Sequence, residues 1–110
     1  MRLLSADLAT HERTHVPLPT TDVVSGTPTT ALAPLAELGP VEIGLWEMSL
    51  GTAVDTEVDE VFVVVAGSGA VEFTDGEVID LRPGVVVRLT AGEQTRWTVT
   101  ETLRKVYVAL

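Results

Sequence analysis

The chain has 110 residues and a mass of 11.7 kDa, which excludes separate cofactor and substrate domains, because single domains commonly span about 100–150 residues. Seven Lys and Arg against 16 Asp and Glu give a formal net charge of -9, so nucleic acid and anionic membrane are poor partners: neutralising phosphate needs clustered positive charge. The absence of cysteine removes disulfides, thiolate nucleophiles and sulfur metal ligands.

Charge interrupts residues 1–7 too early for a signal peptide, and no apolar run approaches the roughly 18 residues of a membrane span. A cytoplasmic protein is expected. Residues 1–40 hold five of the six prolines, with Thr-rich stretches at 20–21 and 27–30. They read as an irregular arm with a short strand at 23–27, covering a sheet edge of its own subunit or of a neighbour. A short helix at 32–38 is an alternative that Pro34 restricts to its first turn. His11 and His15 lie in this arm, and the segment between them lacks the apolar support a helix would need to present them to a metal.

From residue 41 the pattern is regular, and 41–110 is the expected core domain. Val41, Ile43 and Leu45 alternate with Glu42, Gly44 and Trp46, giving a strand that ends before Gly51. An acidic segment at 55–60 leads into a strand at 60–66, with Glu60, Phe62 and Val64 on one face and Val61, Val63 and Val65 on the other. Apolar residues on both faces predict a central strand covered twice. A turn at 67–69, a hairpin at Asp75-Gly76, and turns at 82–84 and 90–92 separate further strands at 70–74, 77–81, 85–89 and 93–99, and a last strand covers 103–110. Short strands with frequent turns mean a sandwich or small barrel, and no connection is long enough for the helical crossovers of a parallel sheet.

The alternation also selects candidate site residues. Glu60 shares a face with Phe62 and Val64, so its carboxylate should point inward, where it must be paired, hydrogen-bonded or protonated. Arg88 or Arg96 is the expected partner in a structural reading, and a ligand is the partner in a functional one. Thr95 and Trp97 share a face, and an indole gives a small ligand a flat wall and one donor. Arg104 and Lys105 fall on opposite faces of the last strand, so at least one should meet an acidic group. Tyr107 shares the Lys105 face. Glu47, Asp55, Glu57 and Asp59 crowd the approach to Glu60; an oxygen-only cluster of these acids would suit Mg, Mn or Ca, and the plain reading of the four is solvated acids.

Together, residues 44–51, Asp59-Glu60 with Gly67, 83–92, Thr95-Arg96-Trp97 and 104–108 resemble a small single-domain cupin of the RmlC-like type. The nearest branch is the short one grouped with ethanolamine-utilisation and ureidoglycine-related cupins. The resemblance implies an all-β antiparallel jelly-roll barrel, a homodimer, and a site inside the barrel. It places Glu60 and Gly67 on the glutamate and glycine of the first cupin motif, whose two histidine positions fall on Val54 and Thr56 or on Ala53 and Asp55. In the second motif the histidine position is Thr95. The iron, manganese, nickel or zinc of other cupins therefore lacks its histidines here, and neither metal nor cofactor is expected. Two functions remain open. One is the binding of a small polar metabolite among Glu47, Glu60, Arg88, Thr95, Trp97 and Tyr107. The other is a small isomerase, lyase or hydrolase acting on a carboxylate or sugar-like metabolite, with Glu60 as catalytic acid or base.

Overall fold

Along the last strand every second residue from Thr95 to Val99, and again from Leu103 to Tyr107, is buried, and this period of two fixes where the core lies. The structure is a computed structural model describing residues 2–110. Nine strands follow one another, with no helix among the described residues: β1 (Val16–Pro17), β2 (Val23–Ser25), β3 (Thr29–Leu38), β4 (Val41–Met48), β5 (Gly51–Thr56), β6 (Glu60–Phe73), β7 (Val78–Leu81), β8 (Val86–Leu89) and β9 (Gln94–Ala109). None of them can therefore be a helix long and apolar enough to cross a membrane.

All pairings are antiparallel and form one curled sheet. The order β1-β3-β4-β9-β5-β2 makes one wall, and β6 leaves this path to pair with β7, β8 and β9. The two longest strands, β6 and β9, run side by side from Glu60 opposite Ala109 to Phe73 opposite Thr95. Phe62, Val64, Leu89, Trp97 and Leu103 fill the interior.

Several elements differ from expectation. Residues 32–38 are not helical: residues 29–38 form a ten-residue strand paired with β4, with a register shift beside Pro34. The segment 67–69 is not a turn either, because β6 runs through it with register shifts between Val64 and Gly69. Gly67 has φ +86, and a Cβ there would lie 2.0 Å from the Thr102 carbonyl oxygen, so the glycine lets β6 bend directly over β9. Residues 51–56, outside any expected strand, form β5 against β9.

The arm returns over the outer face of the barrel. Arg13 and His15 both bond the Glu47 carboxylate, the imidazole Nε2 at 2.9 Å, and Arg104 donates to its other oxygen at 2.8 Å. Glu47 is 3% exposed. Burial alone would raise its pKa, but hydrogen bonds from Arg13, His15 and Arg104 outweigh this and hold it below its ordinary value. A depressed carboxylate stabilises the fold above its unfolded pKa, and the contribution is lost as pH falls through the folded value.

Three outcomes follow, two from the Glu47 contacts and one from Gly67. Urea unfolding followed from about pH 7 down to about pH 3 shows the wild type losing stability below roughly pH 4. Glu47→Gln is about 3 kcal/mol less stable near neutrality and loses less on acidification, because it strands the arginines of a buried pair. Gly67→Ala costs at least about 2 kcal/mol in the same assay, from backbone strain and the clash with Thr102.

Candidate functional site

The inward faces of four strands enclose a cavity of about 390 Å³ lined by Glu42 and Trp46 of β4, Asp55 and Thr56 of β5, Glu60 of β6, and Trp97, Lys105 and Tyr107 of β9, with Glu57 following β5. The ladders explain the convergence. Lys105 lies opposite Trp46 on one side and Val64 on the other, and Tyr107 lies opposite Gly44 and Phe62. Residues directly opposite one another share a face.

Lys105 is the centre of the site. Its ammonium donates to Glu60 Oε2 at 2.6 Å and lies 4.7, 4.3 and 4.8 Å from the ring centroids of Trp46, Phe62 and Trp97. Lys105 is only 4% exposed. A carboxylate and three π faces together replace the water that this charge has lost. The rings also brace one another, with Trp97 centroids 5.4 Å from Trp46 and 5.6 Å from Phe62.

Glu57 forms the second cluster. Its Oε2 accepts from the Thr95 hydroxyl at 2.7 Å and from the Trp97 indole at 3.0 Å. Its carboxyl group also lines the cavity and shares a side-chain hydrogen bond with that of Asp55. Beside it, partial burial and then the Glu57 carboxylate push Asp55 up to about 6, while Lys105 pulls the other way. Asp55 keeps solvent contact, since it also borders a shallow depression of about 630 Å³ shared with Asp22, Glu72 and Arg96.

At the third corner the Tyr107 hydroxyl donates to Glu42 Oε2 at 2.7 Å. Burial, then Glu42, raise the phenol well above its ordinary pKa, so it acts as a neutral donor. Gly44 makes this possible: a Cβ there would lie 2.3 Å from the Tyr107 oxygen.

Of the residues singled out from sequence, the structure brings Glu60, Thr95, Trp97 and Tyr107 together. Glu47 is not in the cavity, because it belongs to the opposite face of β4 and is consumed by the arm. Arg88 is also outside: it is exposed, opposite Val61, and makes no ion pair with Glu60 among the described residues. Arg96 is exposed as well. The expected partner of Glu60 is corrected to Lys105. Glu42, Asp55 and Glu57 were not selected, and Glu57 is 8% exposed rather than solvated.

The positions that cupin motifs give to metal ligands do not fit a transition metal here. Ala53 is buried in the apolar core, the Thr95 hydroxyl serves Glu57, and Glu60 already holds an ammonium. The donor set contains no imidazole, and no three acidic or histidine side chains among the described residues are grouped to hold a metal ion.

Comparison with known proteins agrees with this architecture. A protein of unknown function from Pseudomonas syringae pv. tomato superposes with a TM-score of 0.80 at 20% identity, over 94% of this chain and 46% of that one. The chain thus spans about half the length of that neighbour. The Clostridium difficile EutQ protein gives 0.66 at 22% identity, covering 86% of this chain and 79% of its own. A putative ethanolamine utilization protein Q from Salmonella typhimurium gives 0.65 at 18% identity, covering 91% and 96%. Identities this low establish the fold, the cupin jelly roll, and no activity. No curated protein matches the sequence. The EutQ-like cupin domain matches residues 35–107, and the chain belongs to that family.

Proposed function

We propose that this cupin binds a small polar metabolite in the cavity between β4, β5, β6 and β9, without a histidine-bound metal. The observation that carries the reading is the Lys105 ammonium, fixed against Glu60 at 2.6 Å beneath an open cavity. It places a cationic group at the heart of the barrel, and the cavity is of the size that small-molecule sites take, roughly 300–1,000 Å³. An acid or base role for Glu60, as in an isomerase, lyase or hydrolase, finds less support, because the carboxylate is committed to Lys105.

A homodimer belongs to the same proposal. On the outer face Val61 lies opposite Val108, and Val63 opposite both Val86 and Val106. Val61, Val86 and Val108 are 45%, 64% and 43% exposed, a paired row of apolar side chains of the kind that marks an interface. A second copy fits such a self-complementary sheet face.

Both tryptophans of the chain line the cavity, so their fluorescence reports on its contents. Screening small polar metabolites gives saturable changes in emission that Lys105→Met abolishes; a screen in which no compound changes the emission would sink the binding reading. Elemental analysis of untagged protein gives no stoichiometric transition metal in either the wild type or Glu60→Gln. Light scattering after size exclusion gives twice the 11.7 kDa chain mass, and Val108→Glu gives the single-chain mass. A wild type already at the single-chain mass removes the dimer.

A further inference from the structure

Lys105 is the single lysine of the chain, and the other six of its seven Lys and Arg residues are arginines. None of those arginines lines the cavity, whereas Lys105 does. The difference is chemical: a guanidinium keeps its proton in proteins, while the ammonium of a buried lysine can give one up and leave a nucleophilic amine. A group to take that proton is in place, since Glu60 Oε2 lies 2.6 Å from the Lys105 nitrogen and Glu60 also lines the cavity.

We propose that Lys105 forms a reversible Schiff base with a small uncharged aldehyde or ketone held in the cavity, with Glu60 carrying the proton. This rests on the binding reading above and deepens it by naming the class of ligand. The ammonium first passes a proton to the Glu60 carboxylate. The freed amine adds to the carbonyl carbon, the C=O π pair moves to oxygen, and one amine proton follows it there, giving a carbinolamine. Its C–O bond then breaks as the oxygen takes the proton held by Glu60 and leaves as water, while the nitrogen lone pair closes the C=N bond. The products are a protonated imine, water and the Glu60 carboxylate, so the pair carries the same charge before and after. Glu60 handles only a proton that came from Lys105, which its commitment to that ammonium permits.

The surroundings suit this product. The protonated imine keeps the positive charge of the ammonium it replaces, so the rings of Trp46, Phe62 and Trp97, centred 4.7, 4.3 and 4.8 Å from the nitrogen, stabilise it in the same way. The carboxyl groups of Glu42, Asp55 and Glu57 border the rest of the cavity. They repel a keto acid and accept hydrogen bonds from the hydroxyls of an uncharged guest.

The test is reductive trapping near neutral pH with glycolaldehyde, hydroxyacetone or glyoxylate and sodium cyanoborohydride, followed by peptide mapping. In the wild type a side-chain adduct can form only at Lys105, and mapping separates it from the α-amino group. Glu77→Lys supplies a reference lysine at an exposed position outside the cavity. Glycolaldehyde and hydroxyacetone label Lys105 at least about tenfold faster than position 77, a small part of what a positioned proton acceptor supplies. Equal labelling at the two positions, or a preference for glyoxylate, overturns the proposal. Glu60→Gln separates two roles of the carboxylate: if it moves the proton, labelling falls about tenfold. If it only holds the ammonium, its loss frees the amine and labelling rises, which also overturns the proposal. The comparison with position 77 stands whether or not Glu60→Gln folds. Tryptophan emission, read before the reductant is added, keeps the two readings apart. A saturable change without a Lys105 adduct overturns the Schiff base and leaves the binding reading standing. Neither adduct nor emission change overturns it too, and the metabolite screen then decides the binding reading by itself.

Discussion

The Lys105–Glu60 pair is the constraint on which the barrel interior depends. A buried ammonium costs several kcal/mol to desolvate, and only a well-placed partner returns that cost. Its neighbour Arg104 faces the other way and meets Glu47 on the outer surface at 2.8 Å. Adjacent residues of a strand point to opposite faces, so β9 carries one cation into the barrel and one out of it. A register slip of one residue would exchange their faces, taking Lys105 from Glu60 and Arg104 from Glu47. Charge thus reinforces the hydrophobic pattern in fixing how β9 sits between β4 and β6.

Much of this fold was legible in sequence where a strand has its interior on one side. The strands around Phe62 and Val87 and the turn at Asp75-Gly76 follow the period of two and appear as expected. Glycine was the misleading signal. Gly67 and Gly69 punctuate the sequence as a turn would, yet a Cβ at either would strike a carbonyl oxygen of β9, at 2.0 and 2.3 Å. They are small because another backbone passes close by, a reason that no local pattern contains. Pro34 misled in the same manner: it sits beside a register shift in β3, where a missing N–H is tolerated.

The site was half legible for a similar reason. Glu60, Thr95, Trp97 and Tyr107 follow from alternation with apolar neighbours. On β4 the rule inverts: the apolar face of Ile43 and Leu45 points outward with Glu47, and the face bearing Glu42, Gly44 and Trp46 points inward. Hydrophobicity marks the face that will be covered, and here the outer face is covered as well, Leu45 being 1% exposed. Glu57 follows β5 outside any regular period, so its burial depends on tertiary contacts, with Thr95 and Trp97 on its side chain and with Gly92 and Glu93 on its backbone.

The pairing of β1 with β3 and of β2 with β5 puts two short strands from one stretch of chain at the two ends of the same strand order. The stretch works as a clasp: it closes both margins of an open sheet yet lends no side chain to the cavity. Unfastening it would bare two lines of unpaired backbone groups at once, the template from which strands of different molecules join edge to edge. The two short strands therefore shield both sheet margins, and a substitution within them acts through those margins rather than through the cavity.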